Sequence, residues 1–117
     1  MLSNPAITES RIVMKVGDTG QPLTIQLKNH DTRRVIDLTG AAASFTLKLI
    51  NNNSTAELIV DAPADIIDPL EGLVAYNWQQ GDLSTAGYYT AVFTIIHSSG
   101  EIEAYPREGY IVVEVEP

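Results

Sequence analysis

His30 and His97 are the only histidines in the chain and its best candidates for proton transfer or metal binding. Each lies at a predicted loop end, in no H-x-H or H-E-x-x-H spacing, and no cysteine is present to complete a zinc set. Both read as solvated loop residues. No serine lies in G-x-S-x-G, and a Ser-His-Asp triad needs a mutual geometry that spacing alone does not supply. Asp61, Asp65, Asp68 and Glu71 gather oxygens of the kind a hard cation takes, but no D-x-[DN]-x-[DN]-G loop accompanies them. The plainer reading is a solvated acidic edge that deters strand-to-strand association. Gly17-Asp18-Thr19-Gly20 resembles a phosphate loop, yet no Lys-Ser/Thr follows and no helix begins there, so it reads as a hairpin turn. The overlapping Asn-x-Ser/Thr sequons at Asn52 and Asn53 mark an exposed turn. These residues point to no enzyme: no catalytic residue, no cofactor and no metal is expected.

The aromatic residues are the stronger candidates. Tyr76, Trp78, Tyr88, Tyr105 and Tyr110 could form a sugar-binding platform, cross-strand packing pairs, or a patch that docks another subunit. The strands that carry them decide among these. Period-2 alternation dominates and no segment holds a helical period. Strands are predicted at Arg11–Val16, Leu23–Lys28, Ala41–Ile50, Glu57–Asp61, Leu73–Trp78, Tyr89–Ile95, Glu101–Tyr105 and Tyr110–Val115, with a short one at Val35–Leu38. Pro63 and Pro69 bracket a segment expected to be short or at an edge. Predicted inward faces are Leu23, Ile25 and Leu27; Phe45, Leu47 and Leu49; Tyr89, Ala91, Phe93 and Ile95; and Ile111, Val113 and Val115.

Seven to nine short strands with regular turn signals predict an all-β, immunoglobulin-like antiparallel β-sandwich. Gly81 to Tyr89 has the layout of a tyrosine corner, with Leu83 and Gly87 preceding a Tyr89 that ties the loop to its strand. Ala91 stands where an antibody domain carries its second cysteine, so no disulfide holds this corner. The 117 residues suit a single domain, here residues 10–117 behind a flexible arm at 1–9. The formal charge of −8 disfavours nucleic acid and anionic membranes as partners. The N-terminal sequence lacks the basic and apolar regions of a secretory signal, and no apolar run is long enough to span a bilayer.

Three landmarks occur in order: Val16-Gly17-Asp18-Thr19-Gly20, Asp37-Leu38-Thr39-Gly40-Ala41, and Leu83-Ser84-Thr85-Ala86-Gly87-Tyr88-Tyr89. With the closing run Tyr105 to Val115, they resemble the N-terminal domain of bacteriophage baseplate upper proteins over roughly residues 10 to 116. The resemblance implies a virion structural domain of the phage tail, made in the bacterial host cytoplasm. Such a domain anchors fibre or receptor-binding components by contact with other tail or baseplate proteins, and homo-oligomers are one form of that contact. Candidate contact residues are Tyr88, Tyr105, Arg107 and Tyr110. The competing expectation is a carbohydrate-binding or adhesion module of a bacterial surface protein.

Overall fold

Alternating sequence produces eight strands: β1 (Arg11–Lys15), β2 (Leu23–Gln26), β3 (Ala42–Ile50), β4 (Ala56–Asp68), β5 (Leu73–Tyr76), β6 (Gly87–Ile96), β7 (Ile102–Tyr105) and β8 (Ile111–Glu116). The computed structural model describes residues 11–29, 31–106 and 110–117. Among these there is no α-helix, only a 3-10 turn at Pro69–Glu71. The hydrogen-bonded strand order is β1-β8-β6-β3-β4-β5-β2, and β7 also pairs with β6.

The expected all-antiparallel pair of sheets is instead one curled, mixed sheet, a half-barrel. Two features cause the difference. β1 and β8 run parallel, with Arg11 opposite Val112 and Lys15 opposite Glu116. β4 is also a single strand of 13 residues, where the prolines had suggested a break. Its first part pairs with β3 and its last residues, from Asp65, pair with β5, so one strand serves both halves of the sheet. Pro63 is tolerated because β5 joins only after it; at Pro63 the strand has β3 alone as a neighbour. The short strand expected at Val35–Leu38 reduces to one bridge between Lys28 and Val35.

The inner face follows the predicted alternation. Phe45, Leu47, Tyr89, Ala91, Phe93, Ile95, Ile111, Val113 and Val115 are all buried, and Leu49 and Ile25 are half-buried. Phe45 stacks on Tyr76 at 4.3 Å between ring centroids and meets Phe93 at 5.0 Å and Trp78 at 5.7 Å. Phe45 and Phe93 are cross-strand neighbours on β3 and β6, whereas Tyr76 comes from β5. The stack therefore closes the curl. Each large side chain fully buried there stabilises the fold by about 1.5–3 kcal/mol.

Turns hold by local bonds. Asp37 Oδ1 accepts from the Thr39 amide at 2.9 Å and from Thr39 Oγ1 at 2.6 Å, and Gly40 follows with φ +76°. Those bonds, the side-chain one first, lower the Asp37 pKa. Tyr89 donates its hydroxyl to the Thr85 carbonyl at 2.6 Å, and Leu83 is buried beneath the loop. Burial raises the Tyr89 pKa.

Candidate docking surface

The outer face of this sheet should be polar, because it looks away from the core. It instead mixes polar residues with exposed apolar and aromatic ones. β6 turns Tyr89, Ala91, Phe93 and Ile95 inward, so Tyr88, Thr90, Val92, Thr94 and Ile96 point outward. Strand register then extends Tyr88 into a row: Val13 lies beside Glu114, Glu114 beside Tyr88, Tyr88 beside Ile50, and Ile50 beside Ala56. The next row reads Arg11, Val112, Thr90, Lys48 and Leu58. Val13, Ile50, Leu58 and Tyr88 are exposed in these rows, and Tyr110 is exposed beyond them.

Tyr110, just ahead of β8, lines a shallow groove of about 310 Å³ with Thr46, Lys48, Thr90 and Val92. Arg11 is ion-paired with Glu114, and its guanidinium lies 5.8 Å from the centre of the Tyr88 ring. The bond to Glu114 raises the Arg11 pKa, so the guanidinium stays charged. Lys15 pairs with Glu116 at 3.3 Å. No salt bridge is seen for Lys48 among the described residues. The face can therefore offer apolar area, two tyrosine side chains and the exposed Lys48.

Of the four residues singled out by sequence, two are exposed on the outer face of the sheet. Tyr88 is 51% exposed and Tyr110 47%, whereas Tyr105 is 4% exposed and belongs to the core. The Tyr105 hydroxyl donates to Glu103 Oε1 at 2.7 Å, and His97 Nε2 lies 2.9 Å from the same oxygen. Tyr105 is inward because register sets it opposite Phe93. His97 is therefore a part-buried hydrogen-bonding residue and not the solvated one expected. Arg107 and His30 lie outside the described residues. Tyr76 and Trp78 are also buried, so the five aromatics do not assemble into one platform.

Sequence reasoning missed Val13, Ile50 and Leu58. The available signal was the outward half of each alternation, where apolar residues replaced polar ones. Asp61 and Asp65 are exposed on β4, and no group of three His, Asp or Glu able to hold a metal occurs among the described residues.

A family model, the BppU N-terminal domain, a phage baseplate upper protein domain, matches residues 2–104. The chain belongs to that family. The match stops short of β8, yet β8 is hydrogen-bonded to β1 on one side and β6 on the other, so it completes the same sheet. A search of curated protein sequences gave no match. Among solved structures, CopC from Methylosinus trichosporium OB3b is similar in fold, with a TM-score of 0.51 and 12% identity over 93% of this chain and 86% of that one. Family membership makes this BppU N-terminal domain a baseplate-related structural domain of the phage tail.

Proposed function

We propose that this domain anchors fibre or receptor-binding components to the tail of a phage or prophage virion, using the outer face around Tyr88 and Tyr110 as its contact. The observation that carries the reading is the half-exposed tyrosine pair set among Val13, Ile50 and Leu58 on a sheet of a baseplate family. Tyrosines on a rigid sheet give a large contact area at low entropic cost, which suits a permanent assembly. The domain acts by contact and not by catalysis. Its tyrosine corner is the element most like an immunoglobulin domain.

The test is binding between the purified domain and the tail proteins encoded beside it, read by light scattering and calorimetry. Replacing Tyr88 and Tyr110 together by alanine is expected to weaken the complex at least tenfold, as loss of interface anchors does. An unchanged affinity would reject this face as the contact.

A further inference from the structure

The half-barrel leaves a seam. β1 and β2 are the two ends of the strand order, and no pairing joins them. Between them runs a groove of about 320 Å³ lined by Ile12, Val13 and Met14 on one side and by Asp18, Gln21, Pro22, Leu23 and Thr24 on the other. Hydrogen-bond parity fixes which backbone groups face it. The Val16 amide donates to the Glu116 carbonyl, so the even-numbered residues of β1 turn their amides to β8. The Lys15 amide points the other way, to Asp18 Oδ2 at 2.9 Å, and the Asp18 amide returns to the Lys15 carbonyl. The turn thus satisfies Lys15 and leaves the amides and carbonyls of Arg11 and Val13 directed into the seam. On β2 the Leu27 amide reaches the Gly72 carbonyl on the β5 side, so by alternation Thr24 and Gln26 turn theirs away from β5.

Side chains complete the requirement. Ile12 and Met14 pack against the core, are only partly buried and line the groove. Arg11 and Lys15 are two of the seven basic residues of an acidic chain, and both stand on this one strand. Lysines commonly blunt an edge. Here both cations are held sideways by Glu114 and Glu116, and among the described residues no strand pairs with this edge of β1. β8, with the sequence Ile-Val-Val-Glu-Val-Glu, shows what suits β1 on its other side: apolar residues inward and carboxylates outward.

We propose that the seam accepts an extended strand from another protein, pairing with the free edge of β1. That strand alternates apolar residues, set beside Ile12 and Met14, with acidic ones, set beside Arg11 and Lys15. This site is made by the backbone of the sheet edge; it shares Arg11 and Val13 with the tyrosine face but needs neither Tyr88 nor Tyr110, so the double alanine variant of those tyrosines leaves it intact.

The probe is an acetylated and amidated hexapeptide alternating valine with glutamate, added at millimolar concentration to the ¹⁵N-labelled chain. Expected are shifts of the Arg11, Val13 and Thr24 amides, with exchange slowed at least tenfold, and weaker effects from a valine–lysine peptide. Val13→Pro removes the edge donor while sparing the ladder to β8, and is expected to abolish the response with the Tm nearly unchanged. Arg11→Pro, which removes the other β1 edge donor at the first position of the strand, repeats the test if Val13→Pro does not fold. No shift at these amides, a response that survives either proline, equal binding of the lysine peptide, or edge amides already slow without peptide would each overturn the proposal.

Discussion

Tyr88 and Tyr89 are neighbours on one strand, and the sheet uses them in opposite ways. Tyr89 is 1% exposed and its hydroxyl is spent on the Thr85 carbonyl, whereas Tyr88 is half-exposed with Arg11 over its ring. The same division holds for the two faces as wholes. The inner face pairs aromatic with aromatic, as in Phe45 on Tyr76 and Phe93, and settles its polar atoms locally. One indole is the exception: Trp78 Nε1 is buried with no hydrogen-bond partner among the described residues. The outer face keeps apolar side chains where folding gains little from them. Residues that do not serve the core are free to serve a contact.

The widest separation between the faces is expected from Phe93→Ala. It removes the fully buried β6 ring that packs on Phe45 and should cost about 3–5 kcal/mol in chemical denaturation. A loss below 1 kcal/mol would mean the curl is held elsewhere. Gly72→Ala comes next. At φ +64°, an added Cβ would lie 2.8 Å from the Leu27 carbonyl and 2.9 Å from that of Ile36. A destabilisation of about 1–3 kcal/mol is expected, because neither backbone atom can step aside cheaply. Tyr89→Phe removes only the corner bond and should cost about 0.5–1.5 kcal/mol. On the other face, Tyr88→Ala should stay within about 0.5 kcal/mol of the parent in stability. A large loss there would erase the distinction between the faces.

The smallest effect is a pH dependence. Asp37 has a lowered pKa in the fold, so its contribution is complete above the unfolded value near 4 and fades as pH falls through the lower folded value. Asp37→Asn should flatten that part of the acid limb of a Tm–pH curve, and an identical limb would remove Asp37 from the account.

Much of the inner face was legible because alternation is a local property. The Tyr89 corner, the Asp37–Thr39–Gly40 turn and the inward series on β3, β6 and β8 all follow from residues close in sequence. Pairing partners are not local. Nothing in Arg11–Lys15 says that its neighbour is β8 running parallel, and Pro63 argues against the long β4 unless the late arrival of β5 is known. Tyr105 misled for a related reason. In β7 the aliphatic Ile102 points out while Tyr105 points in, and only the register with Phe93 reveals it. The proposed docking face was half legible, through Tyr88 and Tyr110, and its remaining members needed the strand order.

The parallel ladder of β1 and β8 has a mechanical meaning. The chain enters β1 at Arg11, opposite Val112, and leaves β8 at Glu116, opposite Lys15, so the entry and exit lie at opposite ends of the same ladder. Tension applied through the chain on either side would slide the two strands past each other. The load would fall on all their hydrogen bonds together and not peel them one at a time. A tail part that passes a pull from one component to the next would thereby yield late and all at once.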